Sequence, residues 1–185
     1  MLNGEEMLMI LKKSLALGAV ALLIASFSVE GFGQGRGKAE LKAPAGNITV
    51  DYGRPSVKGE AVSGKEPLSV PFPMPGDFWR MGNDTSTTFA TPIDLTFGNL
   101  KVPKGSYSLW LHKSAPDKFE LVFNSQTGKW GTEHDASKDL YKVPMTLAKL
   151  PNTVEVFTID LKPAPKGGIF ELSWGTSKLS APIQY

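Results

Sequence analysis

Arginine and tryptophan recur together in this sequence, and no catalytic pair of recognisable spacing competes with them. Arg54 closes an apolar segment beside Pro55, and Arg80 directly follows Trp79. A guanidinium is a planar fork of N–H donors that grips a carboxylate or sulfate through two parallel hydrogen bonds. Trp79, Trp110 and Trp130 offer flat indole faces of the kind that β-sandwich modules use to stack sugar rings. An amide such as Asn124 or a cation such as Lys58 would add polar contacts. The set Arg54, Lys58, Trp79, Arg80, Trp110, Asn124 and Trp130 is therefore the candidate ligand-binding surface, for a glycan, a peptide or a small acidic ligand. The competing reading is structural. Each arginine would tie loop carbonyls or pair with Asp51, Asp77 or Asp84, and each tryptophan would belong to the core.

Other chemistry finds weaker support. Glu133, His134 and Asp135 are adjacent, but neighbouring side chains diverge, so three in a row do not converge on one ion. With His112 the chain has only two histidines, and it has no cysteine. Thiol nucleophiles, thiolate metal sites, disulfides and lipid attachment through cysteine are thereby excluded. No Gly-x-Ser-x-Gly elbow is present. The run Gly31-Phe-Gly-Gln-Gly-Arg-Gly37 has Arg36 where the dinucleotide fingerprint needs glycine. No catalytic residue, metal or cofactor is assigned. Two alternatives to a binding module remain: a periplasmic hydrolase using Glu133, His134 or His112, and a structural envelope protein without a small ligand.

The formal charge is only +2 and no basic run exceeds Lys12-Lys13, so there is no electrostatic footprint for nucleic acid. Lys12-Lys13 instead precedes an uncharged stretch from Leu15 to Val29, the layout of a secretion signal. That stretch is short for a membrane span and lacks a basic stop-transfer flank. The sequence divides into a signal peptide over 1–33, a flexible glycine-rich tether over 34–41, and one domain over 42–185. The acidic pair Glu5-Glu6 is unusual before such a signal, and Met7 or Met9 would give a more ordinary start. The expected location is the periplasm or the outside of the cell, with membrane contact only through an uncleaved leader.

These side chains must be held by strands. Ile48, Val50 and Tyr52 alternate with Thr49 and Asp51, the period of a half-buried strand. Thr85–Thr91 and Ile93–Phe97 continue the pattern on either side of Pro92. A turn at Val102-Pro-Lys-Gly105 leads to Ser106–His112, where Tyr107, Leu109 and Leu111 share one face and Ser108, Trp110 and His112 the other. Phe119–Asn124 is predicted to pair with it as a hairpin. A loop follows, ending in a helical turn capped by Asp135. Four further strands are predicted over Tyr141–Leu147, Val154–Leu161, Ile169–Gly175 and Lys178–Ile183. No long segment shows a helical period, and the abundant glycine and proline (19 and 14) suit tight turns. The fold class is all-β, an antiparallel β-sandwich or jelly-roll-like domain.

Four patches carry a family resemblance: Tyr52-Gly-Arg-Pro-Ser-Val-Lys58; Phe78-Trp-Arg-Met-Gly82 with Thr87-Thr88; Pro103-Lys-Gly-Ser-Tyr-Ser-Leu109; and Phe123-Asn-Ser-Gln-Thr-Gly-Lys-Trp-Gly131. In their order and spacing they resemble the domain of unknown function 2911, a group of exported bacterial proteins. The resemblance runs from about Lys42 to Ile183. It departs from the family after Arg80, where Gly-x-Asn-Glu-x-Thr is usual and this chain has Gly82-Asn-Asp-Thr-Ser-Thr87. It implies an exported β domain and brings no activity with it.

Overall fold

The computed structural model describes residues 35–58 and 78–185. The expected signal peptide lies outside them. The domain is built from antiparallel strands: β1 (Arg36–Ala43), β2 (Gly46–Gly53), β3 (Phe78–Trp79), β4 (Thr87–Thr91), β5 (Leu95–Phe97), β6 (Leu100–Val102), β7 (Gly105–Ala115), β8 (Lys118–Asn124), β9 (Asp139–Ala164) and β10 (Gly167–Gln184). Their order in space is β1-β2-β4-β7-β8-β9-β10-β5-β6, with β3 pairing β7 beyond the end of β4. β9 turns the corner between two layers. Its first part, Asp139–Met145, pairs with β8, and the rest pairs with β10.

Alternation places the core between these layers. In β2, Ile48, Val50 and Tyr52 are buried while Asp51 is exposed. Tyr52 meets Phe157 of β9 edge to face, and Phe123 of β8 sits among Phe89, Phe97, Tyr107 and Tyr141 at ring separations of 5.4 to 6.4 Å. Each such ring buried contributes about 1.5–3 kcal/mol of transfer free energy, which lets a domain without disulfides hold together.

Three expectations are corrected. The segment 34–41 is not a tether: from Arg36 it is strand β1, paired with the whole of β2. Ala39 and Leu41 alternate with Lys38 and Glu40 and are buried, a pattern that the flanking glycines obscure in the sequence. Tyr141–Leu147 and Val154–Leu161 are parts of one strand, β9, and the last two predicted strands are parts of β10. Pro151 and Gly175 read as strand breakers but sit in a bulge. Lys149 opposes Ser177 and Val154 opposes Gly175, so the residues around Pro151 owe no ladder hydrogen bond to β10. The β7–β8 hairpin forms in the expected register, Trp110 opposite Val122 and His112 opposite Glu120. The capped turn is a short 3-10 helix, Ala136–Lys138, whose Asp135 accepts from the Ser137 backbone and hydroxyl. Those bonds, hydroxyl first, hold the Asp135 carboxyl below the usual carboxylate range.

Candidate functional site

Phe78 and Trp79 leave the short strand β3 on alternate faces, with Arg80 just past its end, and this separates the candidate residues. Trp79 pairs opposite Leu111 and points inward. It stacks on Trp174 at 5.6 Å and meets Phe157 edge to face. Phe78 pairs opposite His112 and so belongs to the outer face of β7.

The segment from Phe78 to Ser86 runs beside the loop that joins β8 to β9. Phe78 stacks on His134 at 4.1 Å, Arg80 packs on Gly131, Thr85 bridges to Trp130, and Ser86 N–H donates to the Lys129 carbonyl. A Cβ on residue 131 would stand 1.6 Å from Arg80 Cδ, so the arginine stem occupies the space a side chain would fill. Arg80 Nε donates to the Gly82 carbonyl at 3.2 Å. Among the described residues no carboxylate lies within ion-pair distance of Arg80 or Arg54. Trp130 beside it is 51% exposed. Arg80 thus packs on the residue next to the exposed indole of Trp130, and among the described residues its guanidinium has no acidic partner.

The intervening turn is strained. Met81 and Asp84 hold φ of 55° and 62°, conformations that cost roughly 1–3 kcal/mol each outside glycine. Met81 is nevertheless fully buried, and its carbonyl takes the Thr87 hydroxyl at 2.7 Å. Gly82 lies against Gly53, at the end of β2, so closely that a Cβ on it would meet the Gly53 carbonyl oxygen at 2.7 Å. Arg54 follows this contact in the chain, but its side chain packs over Gly37 of β1. Arg54 Nε, Asn83 Oδ1 and Ser86 Oγ are buried without a hydrogen-bond partner among the described residues. Leaving such groups unpaired costs about 1–3 kcal/mol each. Arg36 braces the turn from β1: it pairs with Asp51 and donates to the Thr85 hydroxyl at 2.8 Å.

The remaining candidates stand elsewhere. Trp110 is only 2% exposed, because the β8–β9 loop covers the outer face of β7. Its Nε1 donates to Ser108 Oγ at 3.0 Å and its ring lies 4.7 Å from that of His134. Asn124 is buried, and its amide donates to the Asp135 carbonyl and to Asp139 Oδ1, which fastens the loop. Lys58 uses its backbone N–H on Glu155 across from β9. Trp110 and Asn124 are therefore supports of the loop that carries Trp130, not parts of an open platform.

Sequence reasoning missed the device that fastens this loop. Phe78 is stacked between His112 at 4.4 Å and His134 at 4.1 Å. His112 Nδ1 lies 2.8 Å from Glu120 Oε2, and His134 Nε2 lies 2.9 Å from Asp139 Oδ1. The His112–Glu120 pair was readable from the hairpin register. His134 and Asp139 meet only because the short helix bends the chain back. Among the described residues no group of three His, Cys, Asp or Glu side chains gathers to hold a metal. An open groove of about 450 Å³, lined by Phe97, Leu100, Lys142, Pro144 and Pro182 among others, contains none of the candidate residues.

No curated protein and no solved structure matches the chain. The Arg54, Trp79-Arg80 and Trp130 patches all fall within residues 36–183, the span matched by the sequence pattern of one family, so the chain belongs to the family described as protein of unknown function (DUF2911).

Proposed function

We propose that this chain is an exported, non-enzymatic binding module that takes a ligand through an anionic group and a ring, at the Arg80–Trp130 surface. Export rests on the Lys12-Lys13 pair and the apolar run that follows it. Binding is supported above all by one observation: a half-buried arginine, fixed along its stem by Gly131 and lacking a carboxylate partner among the described residues, next to the segment that exposes the indole of Trp130. Holding an arginine in place removes rotamer entropy before binding, so more of the charge-assisted hydrogen bonding appears as affinity. The test is a thermal-shift panel of oligosaccharides, peptides and organic acids on the wild type, Arg80→Lys and Trp130→Ala. A ligand that raises the wild-type melting temperature and fails to raise that of either variant supports the reading. Equal shifts in all three would remove it.

A second reading, hydrolysis, is favoured by the contact between His134 and Asp139, whose side chain is 6% exposed: a buried carboxylate orienting an imidazole. It ranks lower because among the described residues no hydroxyl is hydrogen-bonded to either imidazole, and both rings are stacked on Phe78. If turnover is found, replacing both histidines without loss of rate would exclude it.

A further inference from the structure

Resting on that reading, we propose that the ligand is an acidic saccharide, a pyranose ring that carries a carboxylate. The surroundings of Trp130 select between a sugar and an aromatic acid. An aromatic ligand gains most inside an apolar slot, whereas a sugar needs one flat apolar face and polar groups around its rim. Trp130 has the second environment. Its chain neighbours are Lys129 and Gly131, and no aromatic ring faces it among the described ring contacts.

Two exposed acidic residues are tied by backbone bonds to the Trp130 segment and can serve as hydroxyl acceptors. Asp84 is exposed and is joined to the Trp130 segment by the bond from Gly131 N–H to its carbonyl. Glu133 is exposed, with its N–H on the Trp130 carbonyl at 2.9 Å. A plain aromatic acid would set its charge against these two carboxylates with nothing to offer them. A sugar ring gives each of them hydroxyl donors and turns the repulsion into hydrogen bonds. The carboxylate then belongs at Arg80, whose guanidinium, among the described residues, keeps N–H donors beyond its bond to the Gly82 carbonyl. The site is thus divided: the indole for the ring face, Asp84 and Glu133 for the hydroxyls, and Arg80 for the acid.

The experiment titrates the protein with tetragalacturonate, with the neutral galactose tetramer, with benzoate and with citrate, following the indole N–H resonance of Trp130 and its fluorescence. Tetragalacturonate is expected to shift that resonance and to bind about tenfold or more tightly than the other three, as one charge-assisted hydrogen-bond pair requires. Trp130→Ala and Arg80→Gln should each lose about tenfold, and Arg80→Lys, which keeps the stem over Gly131, should lose less than Arg80→Gln. Equal binding of the neutral tetramer overturns the acid. Benzoate or citrate matching tetragalacturonate overturns the sugar while leaving an anion site at Arg80. Absence of any shift with all four probes overturns this inference together with the binding surface on which it rests.

Discussion

Arg80 lies across Gly131 with its Cδ 1.6 Å from where a Cβ on that glycine would stand. The segments around Arg80 and Trp130 are therefore complementary halves of one contact: one supplies the arginine, the other withholds a side chain. Gly131→Ala should force Arg80 out of place and cost about 1–3 kcal/mol, read by urea denaturation. In an Arg80→Ala background the same substitution should cost much less, since its collision partner is gone. Equal cost in both backgrounds would show that the glycine serves something other than the arginine.

The tryptophans should divide by burial. Trp110 is sealed under the β8–β9 loop and Trp130 is 51% exposed. Trp110→Ala is expected to cost about 3–5 kcal/mol, and Trp130→Ala no more than about 0.5 kcal/mol. Iodide should quench Trp130 emission selectively. A large stability loss at Trp130 would make it a structural residue.

Phe78 is the pin of the loop that presents Trp130, held between two imidazoles. Being half-buried, it should cost about 2–3 kcal/mol when replaced by alanine, below the full range for a core phenylalanine. The informative readout is local. Amide exchange in residues 129–135 should accelerate more than in β2 or β8, because that loop loses its contact with the sheet. Uniform acceleration would mean that Phe78 supports the whole domain.

Acid should unfold the β9–β10 ribbon through Glu171. Burial pushes this carboxyl up, but hydrogen bonds from Lys162 and Lys178, with their charges, outweigh it and hold it below its ordinary value of 4.5. A lowered value in the folded state means that the stabilisation is complete above the unfolded carboxylate range and is lost as pH falls through the folded value. Glu171→Gln should therefore cost stability at pH 7 and flatten the decline below about pH 4.5. An unchanged acid limb in circular dichroism melts would assign it to other carboxylates.

Much of the fold was legible because strand period, turns and the β7–β8 hairpin are local signals. Val50, Leu109 and Leu121 announce their face by alternation alone. The lengths of β9 and β10 were not legible, since Pro151 and Gly175 look like terminators unless the bulge that accommodates them is known. For the site, sequence identified Arg80 and Trp130 by type but could not separate them from Trp110. That distinction depends on which face the loop 125–138 covers, and it is fixed by Asn124, His134 and Asp139 meeting across the chain. Nor could it see that Trp79 packs on Trp174 and Phe157 while Arg80, the next residue, packs on Gly131.

The most direct test of the central claim is a double-mutant cycle on binding. Affinity for an acidic oligosaccharide would be measured by calorimetry for the wild type, Arg80→Gln, Trp130→Ala and the pair. If the two side chains hold one ligand, the losses should be coupled by about 0.5 kcal/mol or more, the double variant losing less than the sum. Strictly additive losses, or none, would contradict a shared Arg80–Trp130 site.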